Sequence, residues 1–209
     1  LRLKGLSRSR YAGLLRVSGV YGVLAPVLAF TFILLAVGSY PQFSWTANAL
    51  SDLGVVSGVT AGVFNSGLII CGVLCLTFAV GLCVLFVESV IGRVGVVVFA
   101  LACVSLVAIG TFPESVSPTH YMCSVAFFVL LPISLLVITA GFALERQAKM
   151  ALFTLAVAVV AALPWVLYYT VHYVSGVAVP EAVSGLAGGV WTVVLGYKML
   201  RAASQPKTG

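Results

Sequence analysis

An all-α bundle of six membrane-spanning helices is the fold this sequence predicts, on three observations. Of the 209 residues, 62% are hydrophobic and 8% charged, with a mean hydropathy of +1.19. An ordinary globular chain carries roughly 25% charged residues, and so few charges could not cover a water-facing surface. The apolar residues fall into six runs, each near or above the ~20 residues that cross a ~30 Å hydrocarbon core as helix. The eleven Lys and Arg residues cluster at the run ends that face one side of the membrane, as topology signals do. Helices are required because lipid satisfies no bare backbone group, and the runs are too long for barrel strands.

Residues 1–18 carry Arg2, Lys4, Arg8, Arg10 and Arg16 with no apolar period, and read as a basic cytoplasmic segment able to attract anionic lipid. The first run, 19–39, holds Pro26 as a kink. It continues too long, and lacks the small-residue cleavage site, for a cleavable signal peptide. In the link after it, Ser44 suits a helix N-cap and Gly54 a stop, so a short interfacial helix is expected over 44–53. Asn48 and Asp52 would share one face of that helix, with Trp45 at headgroup level.

The second run covers 60–87, the polar turn 88–93 follows, and the third run covers 94–110. The fourth extends over 118–144, the fifth over 150–173 with Pro164 inside it, and the sixth over 180–200. Residues 201–209 form a polar cytoplasmic tail. The links are short and no internal repeat is visible, so 19–200 is one six-helix domain.

Orientation follows from charge. With a cytoplasmic N-terminus all eleven basic residues lie inside, together with Glu88 and Glu145. Asp52, Glu114, Glu181, His120 and His172 then lie outside. The expectation is a multi-pass protein of the cell membrane with both termini cytoplasmic. Its partners would be the bilayer, other membrane proteins or a second copy, and not nucleic acid. The five Cys (71, 75, 83, 103, 123) all fall within apolar runs, where Cys behaves as a small hydrophobe and no disulfide framework is legible.

The chemistry concentrates in TFPESVSPTHY, residues 111–121. Ser117 reads as an N-cap, Pro118 as the first helical residue and His120 as the third. An imidazole at the positive end of a helix is disfavoured as a cation, and neutral it can act as base or ligand. Glu114 could orient it. Asp52, Glu114 and His120 are therefore the candidate catalytic set. The same three with His172 are the candidate ligands of a divalent metal that would lower the pKa of a bound water.

Plainer readings stand beside these. Asn65 and Ser66 suit interhelical hydrogen bonds, and His172 an aromatic belt with Trp165, Tyr168 and Tyr169. Glu181 suits a helix start, and Gly185 with Gly189 suit close helix packing. No phosphate-cradling loop, Cys-pair metal site or serine elbow is present. No basic residue falls on the outer side, so an anionic substrate there would need a metal.

The segments SWTANALSDLG at 44–54, FNSGLI at 64–69, GTFPE at 110–114 and HYMCSVAFF at 120–128 resemble the archaeal and bacterial membrane family catalogued as domain of unknown function 998. The resemblance implies a six-pass membrane protein and carries no activity. Small residues on the spans and the scarcity of charge favour a non-catalytic subunit or assembly factor of a membrane complex. The alternative is a membrane-embedded, metal-dependent hydrolase or transferase acting on lipid-linked substrates at the outer face. A third reading is electron transfer, with His120 and His172 as axial ligands of one haem b.

Overall fold

Six long helices account for most of the chain in the computed structural model, which describes residues 8–204, with side chains from residue 11. They are α1 (Arg8–Gly38), α2 (Val59–Leu85), α3 (Val90–Thr111), α4 (Thr119–Leu144), α5 (Ala148–Val171) and α6 (Ala178–Ala203). Each contains a stretch long and apolar enough to cross a membrane, and no described residue lies in a strand. The fold is all-α, as the composition requires.

Short links keep sequence neighbours adjacent, and the helices pack in the circular order α1 to α6 with α6 closing back on α1. That closure rests on glycine. A Cβ added to Gly19 would lie 2.8 Å from the Gly196 carbonyl oxygen, and one on Gly196 would lie 2.7 Å from that of Gly19. Only residues without side chains let two backbones approach so closely. Higher on the same seam Gly189 meets Pro26, whereas Gly185 makes only ordinary contact with Phe30. Inside the ring Phe78, Phe99 and Trp191 pack against one another, with centroids 5.4–6.1 Å apart. The Trp191 indole N–H donates to Thr154 Oγ1 at 3.1 Å, so the one polar atom of this buried cluster is satisfied.

Three expectations change. Residues 8–18 are helical and extend α1, because Leu15 is buried in the core and the Ser18 hydroxyl donates to the Thr77 carbonyl at 2.9 Å. The remainder of the expected N-terminal segment lies outside the described residues, as do 205–209 of the tail. The helix expected over 44–53 is instead a turn followed by a 3-10 helix, Ser51–Val55. A continuous α-helix would need the Leu50 N–H on the Thr46 carbonyl. The Leu50 N–H goes to Glu181 instead, while the Thr46 carbonyl accepts from Ser175 and Gly176. Finally, α4 begins at Thr119 with Pro118 at the cap, and Ser117 does not cap it. The His120 and Met122 amides bond to the Val116 and Pro118 carbonyls, at 3.1 and 3.0 Å.

Candidate functional site

Three links meet at one end of the bundle: 39–58, 112–118 and 172–177. The third is laid across the first. The Thr46 carbonyl accepts the Ser175 N–H, the Gly176 N–H and the Ser175 hydroxyl at 3.0, 2.8 and 2.9 Å, and the Ala178 N–H reaches the Asn48 carbonyl at 2.9 Å. Gly176 is pressed against the backbone of Ala47 and Asn48, so any Cβ there would overlap main-chain atoms. Glycine is what lets this strap lie flat.

Beneath the strap the polar side chains turn on one another. Asn48 Oδ1 accepts the Ser44 N–H at 2.9 Å, and its amide donates to Asp52 Oδ2 at 2.6 Å. Asp52 also accepts the Ala49 N–H at 3.1 Å. Asn48 and Asp52 thus pair as their spacing suggests, although the helix expected to pair them is absent. The Asn65 amide donates to the Gly54 carbonyl at 3.0 Å, fastening α2 to the 3-10 helix rather than to another long helix. Glu181, read from sequence as a plain helix-start carboxylate, is buried and accepts the Leu50 N–H at 2.6 Å across 131 residues of chain.

Glu114 stands beside Asp52. Its carboxyl is raised above the usual carboxylate range, first by desolvation, then by the charge of Asp52 and a hydrogen bond between the two carboxyls; His120 acts in the opposite direction. Two carboxyls side by side ionise together less readily than either alone.

His120 is buried, at 6% exposure. Its Nδ1 lies 2.7 Å from the Phe112 carbonyl oxygen. A carbonyl only accepts, so Nδ1 carries the proton. In the neutral ring Nε2 is then a lone pair, and it faces the Ser124 hydroxyl at 3.3 Å. The group that orients the imidazole is therefore the Phe112 carbonyl and not Glu114.

A cavity of about 560 Å³ lies against these groups, lined by Glu114, Ser117, His120, Ser124 and Glu181 on its polar side. Tyr121, Val125, Phe128 and Val129 of α4 and Trp165 and Tyr169 of α5 form another side, and Ala49, Ser51 and Val177 of the links complete the wall. Val125 is 42% exposed, Val129 48% and Tyr169 65%. These exposed side chains belong to α4 and α5, so part of the cavity wall lies on the outer surface of those two helices. A second, almost wholly apolar cavity of about 120 Å³ runs inward between α1, α2, α3, α4 and α6. Ser51, Ser124, Phe128 and Glu181 line both. Ser124 and Glu181 therefore stand where a chamber with one polar side meets an almost wholly apolar slot. Cys71, Cys75 and Cys103 line the slot as free thiols, consistent with apolar packing.

Asp52, Glu114 and His120 are thus brought to one end of the bundle, with Asp52 set behind the cavity wall. His172 is not brought in. It ends α5 in the left-handed region at φ 51°, is exposed, and lies with its ring 6.4 Å from that of Tyr168. It continues the aromatic series of Trp165, Tyr168 and Tyr169. Among the described residues no three His, Cys, Asp or Glu side chains form a group that could hold a metal ion. The four residues expected as metal ligands are therefore not assembled as a set. The two imidazoles expected as haem ligands do not share a cavity either. Glu181 and Ser124 are the residues missing from the expected site. The spacing of four between His120 and Ser124, which puts them on one helix face, was the available signal.

A family model described as Protein of unknown function (DUF998) matches residues 23–198. No curated protein and no solved structure matches the chain.

Proposed function

The chain belongs to the DUF998 family, and from the geometry of its own cavity we propose that this membrane protein takes up one amphiphile of the bilayer, with an uncharged polar head, through the opening between α4 and α5. The observation that carries this reading is the junction at Ser124 and Glu181 between a chamber walled partly by exposed residues of α4 and α5 and a narrower apolar slot. A chamber of about 560 Å³ falls within the roughly 300–1,000 Å³ of small-molecule sites. The head would lie among hydroxyls, an imidazole and carboxyls, and the chain would lie in the slot.

Charge selects the head. The described basic side chains, Arg16, Arg93, Arg146, Lys149, Lys198 and Arg201, belong to the opposite ends of the helices. A phosphate beside Asp52 and Glu114 would find no basic counter-charge among the described residues at this end. Orientation belongs to the same proposal: the cavity opens at the outer leaflet of the cell membrane, with both termini cytoplasmic, as the basic residues argue.

This reading replaces the subunit or assembly-factor one, which needs polar links presented to a partner. Asn48, Asp52, Asn65 and Glu181 use their hydrogen-bonding groups within the links themselves. The metal-dependent hydrolase needs a ligand set that is not grouped among the described residues, and the haem reading needs His172 beside His120, whereas His172 is exposed and does not line the cavity that His120 lines. The test is photocrosslinking in nanodiscs with a monoacylglycerol bearing a diazirine in its chain. Adducts should concentrate on Phe128, Trp165 and their neighbours, and Val129→Trp should reduce them at least about tenfold by filling the opening. Adducts spread evenly over the lipid-facing surface, and indifferent to Val129→Trp, would refute the proposal.

A further inference from the structure

We propose that Ser124 and His120 are a nucleophile and its general base, and that the amphiphile they act on is a carboxylic ester. This rests on the binding reading above. Ser124 is set apart by where its hydroxyl goes. Thr31, Thr77, Ser105, Thr111, Thr139 and Thr170 each donate to the carbonyl four residues earlier in their helix. That is the ordinary way a hydroxyl is satisfied within an apolar helix. Ser124 is bonded to an imidazole nitrogen instead, 3.3 Å away.

The imidazole is prepared for that partner. The Phe112 carbonyl holds Nδ1–H at 2.7 Å and so fixes both ring angle and tautomer. An orienting carboxylate does the same in other nucleophile–base–orienter arrangements. The spacing of four residues on α4 puts ring and hydroxyl on one face, rigidly supported by the helix. Hydrogen bonds of this kind are often long before substrate is bound and tighten when it arrives. Ser124 also lines both cavities, so an acyl chain in the slot and a head in the chamber would leave the ester bond beside Oγ.

The chemistry balances with water as the only co-reactant. Ser124 Oγ attacks the acyl carbon while its proton passes to His120 Nε2. The ester C–O bond breaks, and Nε2 returns the proton to the departing alcohol, leaving an acyl-serine. Water entering from the link side attacks that ester and gives its proton to Nε2. The bond to Oγ breaks, Oγ recovers the proton, and a carboxylic acid is released.

The full chain in phosphatidylcholine nanodiscs is treated with a long-chain alkyl fluorophosphonate, in which Oγ would displace fluoride, and with the diazirine monoacylglycerol. The expected result is a phosphonyl adduct mapped to Ser124 and absent in Ser124→Ala. The adduct should form about a hundredfold or more slowly in His120→Gln. No adduct on wild-type Ser124, with the diazirine probe captured, overturns the catalytic pair and leaves the binding reading standing. Failure of both probes overturns both. Equal adduct rates in wild type and His120→Gln overturn the base role. Turnover of a long-chain p-nitrophenyl ester keeps the test independent of how His120→Gln folds. Release by wild type and not by Ser124→Ala supports the pair, and equal release overturns it.

Discussion

Gly176→Ala should loosen the roof of the cavity, and the structure sets the scale of the effect. The added methyl would overlap the Ala47 carbonyl carbon and the Asn48 carbonyl oxygen. Both are main-chain atoms, so no neighbouring rotamer can relieve the clash and the strap itself must lift. Lifting it stretches the bonds from Ser175 and Gly176 to the Thr46 carbonyl and from Ala178 to Asn48. Losing two of these at about 1 kcal/mol each, together with overpacking of about 1–3 kcal/mol, amounts to roughly 3–5 kcal/mol if the fold does not adjust. Relaxation of the strap reduces the global figure, so a loss of about 2–3 kcal/mol is expected in a detergent-denaturation titration. Hydrogen exchange gives the sharper reading. The amides of Ser175, Gly176 and Ala178 should lose protection while those of the Trp191 region keep theirs. The Leu50–Glu181 bond lies under the same strap, so diazirine capture should fall as well. Stability within about 0.5 kcal/mol of wild type with unchanged exchange at the three amides would refute the claim that backbone contact at residue 176 holds the links together.

Further expectations concern orientation, protonation and helix closure. A Cys placed at Ser115 should react with an impermeant thiol reagent on intact cells while one at Gln147 does not; the opposite pattern would invert the bundle. Because burial and the neighbouring Asp52 raise the folded-state pKa of Glu114 above the ordinary carboxylate range, its contribution favours the fold below that range and is lost as pH rises through the raised value. Glu114→Gln should therefore flatten that part of the stability–pH profile, and an unchanged profile would show that the folded state does not raise the pKa of Glu114. Gly196→Val should separate α1 from α6, because its side chain would meet the Gly19 carbonyl. A cost of about 1–3 kcal/mol or more is expected in the same denaturation titration, and no loss would mean that the seam is not closely packed.

The candidate site was partly legible before folding because charge is scarce. Ionisable groups are costly within the membrane span, so the few that exist collect at its ends, and a short list of link residues at one end already contains Asp52, Glu114 and His120. The same list contained His172, and composition offers no way to see that its place at the end of α5 turns it outward. Glu181 was legible as a residue near a helix start but not as a buried acceptor, and Ser124 resembled the other helix hydroxyls until its partner was known.

By itself the sequence determined the six helices and the end of the bundle at which polar groups gather. Both follow from a one-dimensional constraint. Lipid obliges each apolar run to satisfy its backbone within itself, so run length and charge position suffice. Where the backbone leaves the membrane that constraint ends, and tertiary structure decides. Residues 44–53 have the caps of a helix, yet their amides and carbonyls pair with groups about 130 positions away, Thr46 with Ser175 in the third link and Leu50 with Glu181 in the first turn of α6. The Phe112 carbonyl, and not a nearby carboxylate, sets the tautomer of His120. These choices depend on which links the closed ring of helices brings together, and local propensity carries no record of a partner that arrives only when α6 packs on α1.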